Sequence, residues 1–262
     1  MENAGRKAET TMAQQRLDKI IASTGRYSRR EVKTLVREGR VLVDGRIAAS
    51  AEDKCDPLTA RISVNGEELF YREHTYVMLH KPAGVLSATE DGRGETVLDL
   101  LAPEYRKIGL FPVGRLDKDT EGLLLLTDDG ALAHDLLAPK KHVDKVYFVR
   151  TGGALDDADC AAFEEGITLG DGLECLPAKL EILKSGAQSE ALVTIREGKF
   201  HQIKRMLASR GKPVLYLKRL RMGTLTLDEM LPKGEYRLLT PEEIKNLRGS
   251  GQFAQEKTRA DK

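Results

Sequence analysis

The sequence predicts an α+β protein: a small N-terminal helical/hairpin domain, then a larger domain built on a mainly antiparallel mixed sheet with flanking helices. Three observations carry that expectation. Two short amphipathic helical patterns before residue 40 run into segments closed by Asp44-Gly45 and Asn65-Gly66, the dipeptides of tight hairpin turns. A charged stretch near residues 71–76 separates two apolar patterns. Beyond it, short apolar or alternating runs bounded by turn residues recur among helical patterns.

A chain of 262 residues can form one large or two modest domains, and 40% apolar with 32% charged residues describes a soluble globular protein. Residues 1–13 are polar and aperiodic and read as a disordered leader. The first domain with its linker is placed at 14–72, the second at 73–248, and a disordered tail at 249–262. The net charge of +1 conceals two basic blocks. Residues 1–50 hold eleven Lys/Arg against six Asp/Glu, and residues 196–221 hold nine against one. Two separated blocks suggest two places for an anionic polymer, with a solvated charged face as the plainer reading of either. Three cysteines without a C-x-x-C spacing indicate neither a disulfide framework nor a thiolate zinc site, which suits a reducing compartment. No apolar run approaches the roughly 18 residues of a membrane span, and no signal-peptide core is present, so a cytoplasmic location is expected.

In chain order, Leu17, Ile20 and Ile21 share one helical face. Ser28 with Glu31 three residues on forms a capping box for a helix that turns Val32, Leu35 and Val36 inward and exposes Arg29, Arg30, Lys33 and Arg37. Gly39 ends it, and residues 41–43 and 61–64 read as strands. In the second domain, residues 76–80 form a strand with a sharp exit at Lys81-Pro82-Ala83-Gly84, and residues 96–101 a helical turn or two stopped by Pro103. Residues 123–126 form a short buried strand closed by a Thr-Asp-Asp-Gly turn, and residues 131–137 a helix. The alternation over 145–149 sets Lys145, Tyr147 and Val149 on one face and Val146 and Phe148 on the other. An acidic helix at 155–165 and strands at 178–183 and 191–195 follow. Phe200, Ile203, Met206 and Leu207 fall on one face of the next helix. Strands at 214–217, 224–227 and 234–239 precede a terminal helix opened by Thr240-Pro241.

The first domain closely resembles the small RNA-binding module named after ribosomal protein S-four. The resemblance rests on Arg16-Leu17-Asp18-Lys19, Ser28-Arg29-Arg30 and Gly39-Arg40-Val41-Leu42-Val43-Asp44-Gly45, over about 45 residues. It implies that Arg16, Lys19, Arg29, Arg30, Lys33, Arg37 and Arg40 contact RNA phosphates, which supply affinity and register but little sequence choice.

The charged loop from Gly114 to Gly122 is the stretch most apt for chemistry. As a calcium loop it fails on register: Gly122 falls sixth from Asp117, but the twelfth residue is Asp128 and not glutamate. No P-loop, dinucleotide fingerprint or serine or cysteine nucleophile motif is present. What remains is a carboxylate, Asp117, beside Arg115, whose charge would keep the acid ionised. Asp119, Glu121, Asp128 and Asp129 read as serving the turn and its hydrogen bonds.

Gly114-Arg115-Leu116-Asp117-x-x-Thr120-x-Gly122-Leu123-Leu124-Leu125-Leu126-Thr127-x-Asp129-Gly130 resembles the signature of the pseudouridine synthases. Lys81-Pro82-x-Gly84, Lys145-x-Tyr147-x-Val149 and Glu197-Gly198-Lys199-x-His201-Gln202-x-Lys204-Arg205-Met206 resemble the family's other motifs, in order. The form of the last motif and the leading RNA-binding module point to the RsuA branch, which acts on small-subunit ribosomal RNA. The resemblance implies Asp117 as nucleophile, Arg115 positioning the loop and shaping the pocket, Tyr147 stacking on the base, and Lys204 pairing with Asp117. It also puts Lys81, Lys199, His201 and Arg205 among the RNA-binding residues, and Met222 or Leu220 as the apolar residue packed on the base. The target uridine would be flipped out of its helix. No cofactor or metal is implied. The partner would be ribosomal RNA, free or in an assembling subunit, bound by a monomer. Two alternatives stay open: a synthase for large-subunit ribosomal RNA, and a non-catalytic RNA-binding assembly factor on the same fold.

Overall fold

The structure, a computed structural model, describes residues 14–249. The expected leader and all of the expected tail except Gly249 lie outside the described residues, and Gly249 closes a last helix over 241–249. The chain divides into two compact units, one reaching to Glu73 and including Ala102–Gly109, the other formed by His74–Leu101 and the chain from Leu110.

The first unit opens with α1 (Leu17–Ala22) and α2 (Arg29–Arg37). Ser28 Oγ accepts from Glu31 N, and the Glu31 carboxylate accepts from Ser28 N at 2.6 Å. This box satisfies two amides that a bare helix start would orphan, an effect of about 1 kcal/mol. Strands β1 (Val41–Val43), β2 (Arg46–Ile47), β3 (Ile62–Val64) and β4 (Glu67–Leu69) form an antiparallel sheet in the order β2-β1-β3-β4. Asp44-Gly45 and Asn65-Gly66 all have positive φ, as two-residue hairpin turns of the right twist require. Leu17, Ile20, Ile21, Val32, Leu35 and Val36 pack on Val41, Ile62 and Val64, so the apolar helix faces meet the sheet and the basic faces point to solvent.

Helix α3 (Pro103–Ile108) belongs to this unit and corrects one expectation. Residues 97–100 are a turn, with the Asp99 carboxylate accepting from Thr96 N and Oγ1, and Pro103 begins a helix instead of stopping one. Its fixed φ and missing N–H suit the first helical position.

The second unit is built on β5 (Tyr76–Lys81), β6 (Phe111–Pro112), β7 (Glu121–Thr127), β8 (Lys145–Gly152), β9 (Lys179–Lys184), β10 (Gln188–Ile195), β11 (Val214–Met222), β12 (Leu225–Thr226) and β13 (Tyr236–Leu238). They join in the order β9-β10-β8-β11-β7-β5-β13, with β12 on β11 and β6 on β7. Among the described residues every pairing in this sheet is antiparallel except β11 with β7, which is parallel through Lys218–Glu121 and Arg219–Gly122. The sheet is therefore mixed and mainly antiparallel. Strand β7 is buried from end to end, the physical reason its leucines run unbroken. Leu123, Leu125 and Met78 pack against Leu132 and Leu136 of α4 (Gly130–Leu137), whose first turn Asp129 caps through Leu132 N. On β8, Lys145, Tyr147 and Val149 are buried while Val146 and Phe148 are half-buried, as the alternation predicts.

Helices α5 (Asp157–Glu165) and α6 (Gln202–Ser209) complete the unit. Ile203, Met206 and Leu207 of α6 are buried, but Phe200 does not share their face. The helix begins two residues after it, and the phenylalanine is 72% exposed.

Candidate active site

The loop before β7 is held from below by one lysine. Lys81, at the end of β5 and fully buried, donates from Nζ to the carbonyls of Pro82 (2.9 Å), Asp117 (3.2 Å), Lys118 (3.3 Å) and Thr120 (2.9 Å). Backbone bonds add to it: Gly84 N donates to Lys118 O at 2.7 Å, and Thr120 N to Asp117 O at 3.0 Å. Leu116 is clamped by Ser87, whose Oγ accepts from Leu116 N and donates to Leu116 O. Gly122, at φ +106°, lies so close to β11 that a Cβ there would stand 2.2 Å from Arg219 O, so only glycine fits. Burial pushes the Lys81 pKa down to about 8 against the pull of the neighbouring acids.

The Asp117 carboxylate rises from this platform into an open, shallow cleft. Lys204 Nζ, from α6, lies 3.0 Å from Asp117 Oδ2 and 2.5 Å from Asp119 Oδ1, so one ammonium bridges two carboxylates. Burial works against the Lys204 charge, but the two carboxylates outweigh it and hold the pKa above the ordinary lysine value. His201 Nε2 is 3.8 Å from Asp117 Oδ1, an ion pair when the ring is protonated. Tyr147 lines the same cleft from β8, nearly buried, with no hydrogen-bond partner for its hydroxyl among the described residues. Apolar walls come from Leu116, Ile195 and Leu217.

The structure thus brings Asp117, Tyr147, Lys204, His201 and Arg115 to one cleft. Arg115 is exposed at its edge and makes no hydrogen bond or ion pair among the described residues, so the charge beside Asp117 is Lys204 and not the neighbouring arginine. Lys204 itself arrives on a helix, not on a strand. Asp119 does not serve the turn but shares Lys204, and Glu121 is taken by Lys233 and the Tyr216 hydroxyl. Met222 and Leu220 are corrected as well. Met222 is buried in the core beneath α4, neither residue lines the cleft, and Leu217 and Ile195 occupy the apolar role. Alternation along β11 could have favoured Leu217, but a β-bulge between Tyr147 and Val146 breaks the register on which such a choice depends.

The RNA-binding set divides. Lys19, Arg29, Arg30, Lys33 and Arg37 are exposed on the first unit, and Arg30, Lys33 and Arg37 border a surface groove there. Arg40 is exposed but tied to Glu38 and Asn65, and Arg16 is forked onto the buried Asp18, whose carboxyl it holds below the usual range, and onto Glu52. Lys81 does not belong in the set, because its ammonium is enclosed and committed to carbonyls. Lys199 bonds Glu197 and the Glu174 carbonyl, and Arg205 pairs with Asp171. His201 is at the cleft, against Asp117.

Comparison with known proteins agrees with this geometry. A family model described as RNA pseudouridylate synthase matches residues 75–209, and an S4 domain model matches residues 15–57. The chain is 50% identical to the uncharacterized RNA pseudouridine synthase YtzG of Bacillus subtilis, over 87% of this chain and 96% of that one. It is 40% identical to the ribosomal small subunit pseudouridine synthase A of Vibrio cholerae, over 88% and 99% of the two chains. With the ribosomal large subunit pseudouridine synthase B of Bacillus subtilis it shares 38% identity over 89% and 96%. A crystal structure of a pseudouridylate synthase superposes with a TM-score of 0.62 at 38% identity, covering 88% of this chain and 99% of that one. Among the described residues no helix is long and apolar enough to cross a membrane. With the matched model running through the Asp117 loop, Tyr147 and Lys204 alike, the chain belongs to the RNA pseudouridylate synthase family.

Proposed function

We propose that this protein isomerises a uridine of small-subunit ribosomal RNA to pseudouridine, acting as a monomer in the cytoplasm on free RNA or an assembling subunit. The observation that carries the reading is the Asp117 carboxylate, tethered by Lys204 and facing Tyr147 across a cleft with apolar walls. A uridine stacked in a helix cannot reach that carboxylate, so the base is flipped into the cleft. Lys204 tethers the Asp117 carboxylate and Lys81 fixes the loop carbonyls beneath it, so the group is oriented as a nucleophile needs. Asp117 then attacks either the pyrimidine ring or the anomeric carbon. The N1–C1′ bond breaks, the base turns while Tyr147 and the apolar wall hold it, C5 joins C1′, the bond between Asp117 and carbon breaks to return the free carboxylate, and the C5 proton leaves as N1 takes one up. Every bond lost is replaced within one nucleotide, so no redox partner or phosphate donor is consumed. The exposed arginines and lysines of α2 hold flanking RNA by its phosphates.

The choice of small-subunit RNA rests on the relatives at about 40% identity that carry that name, and the 38% identical large-subunit enzyme supplies the second reading. Small- and large-subunit transcripts and particles, treated with the protein and mapped by carbodiimide adducts that block reverse transcription, separate the two. Pseudouridine made by the Asp117→Asn protein would exclude Asp117 as nucleophile. Replacing Arg30, Lys33 and Arg37 by Gln should weaken RNA binding and flatten its salt dependence by up to about 0.9 in slope per lost phosphate contact; an unchanged slope would remove α2 from the interface.

A further inference from the structure

Phe200 is among the large apolar side chains exposed on this protein. Its ring stacks on the His201 imidazole with centroids 3.8 Å apart and planes 20° from parallel, while 72% of the residue remains exposed. His201 is in turn a cleft residue, 3.8 Å from the Asp117 carboxylate. The two rings therefore form a continuous aromatic step from the reacting carboxylate out to solvent.

The backbone that presents this step is unusual and fixed. His201 sits at φ +49°, in the left-handed region that a β-carbon disfavours, and as the residue before α6 it makes no side-chain cap. Such a conformation persists where its surroundings over-determine it. Here the buried Gln202 does so: Lys199 N donates to its Oε1 at 3.1 Å, and its Nε2 donates to Glu197 Oε1 at 2.7 Å. Glu197 Oε1 also accepts from Leu176 N, tying the loop to the backbone at Leu176. The loop is hydrogen-bonded from below, whereas Phe200 above it stacks on His201 and is otherwise largely exposed. An aromatic ring held in solvent by a preorganised loop at the rim of a nucleotide cleft matches what base stacking asks for.

We infer that Phe200 is a stacking platform for an unpaired base adjoining the target uridine. The inference rests on reading the cleft as the uridine site. Flipping one nucleotide deprives its neighbour of a stacking partner, and a ring at the cleft mouth replaces that partner.

The test uses full-length wild type, Phe200→Ala and Phe200→Trp on an RNA transcript that the wild type modifies, and on the same transcript carrying a single abasic residue on either side of the target. Kd and steady-state rates are read in parallel. Phe200→Ala should raise Kd and KM about 10-fold with kcat nearly unchanged, and Phe200→Trp should restore both. One of the two abasic transcripts should cost the wild type a similar factor and cost Phe200→Ala nothing more. Wild-type affinity in Phe200→Ala, equal further losses on both abasic transcripts, or a loss confined to kcat would each overturn the platform. Should the wild type bind RNA without forming pseudouridine, the functional reading falls, while the Kd comparison still decides the stacking.

Discussion

Two lysines meet the Asp117 loop from opposite sides, and their surroundings divide the work of building a charged site. Lys81 is enclosed and, among the described residues, hydrogen-bonds only backbone carbonyls, so it shapes the loop and acts on the nearby acids from a distance, without pairing with one. Lys204 is partly exposed and touches only carboxylates, so its charge governs the reactive group without supporting the chain. The difference is one of solvent. Enclosure depresses the first ammonium to about 8, and two acids at the surface hold the second above its ordinary value. The Asp117 carboxylate can face the cleft because its loop is held by Lys81 and not by its own side chain.

Replacing the enclosed partner should do the most damage. Lys81→Met removes the ammonium from four carbonyls, of which those of Asp117 and Lys118 keep a backbone donor and those of Pro82 and Thr120 lose the bond, and we expect a stability loss of about 3 kcal/mol together with loss of turnover, read by denaturant unfolding and carbodiimide mapping. The pH dependence follows from the sign of its shift. With a folded pKa of about 8 and an ordinary value of 10.5, the unfolded chain binds more protons across that interval, so wild-type stability should rise relative to Lys81→Met as pH passes from 8 to 10.5. A flat difference would mean that Lys81 is not depressed.

Lys204→Ala should leave the unfolding midpoint within experimental error and lower kcat by about 10²–10³-fold, the usual scale for removing one charge-stabilising group. A matching loss of stability would erase the distinction between the two lysines. The smallest effect belongs to Asp119→Asn. It removes one of two tethers on Lys204, at a largely exposed position, and should reduce kcat about two- to five-fold with KM unaltered. An effect as large as that of Lys204→Ala would make Asp119 an equal partner in the reaction.

Local rules were enough for much of the fold. Ser28 and Glu31 announce α2, Asp44-Gly45 and Asn65-Gly66 announce hairpins, and the alternation over β8 places Tyr147 on the buried face. What local pattern could not supply was partnership across long separations. Lys204 and Asp119 are 85 residues apart, whereas proximity in sequence offers Asp117 only Arg115, two residues before it, and Lys118, directly after it. Nothing around Lys81 foretells that four carbonyls converge on it. The basic block at 196–221 is the clearest lesson in charge counting. Arg196 pairs with Asp144, Arg205 with Asp171, Arg210 and Lys212 with Asp159, and Arg219 is buried under β7 with Nε on Leu123 O. Much of the surplus is cancelled by acids that lie far off in the chain.

The two-residue parallel pairing of β11 with β7 has a mechanical consequence. It is the suture between two antiparallel half-sheets, β9-β10-β8-β11 on one side and β7-β5-β13 on the other. Asp117, Asp119 and Lys81 ride on the second half, whereas Tyr147, Lys204 and His201 ride on the first. Each ion pair that Lys204 makes is therefore a staple across the suture, and Gly122 is the point where the halves touch most closely. A twist of one half against the other would separate the carboxylate from the tyrosine while leaving both half-sheets intact. Alignment of the reacting groups depends on a backbone seam two residues long and on the side chains of Lys204, Tyr216 and Arg219 that cross it.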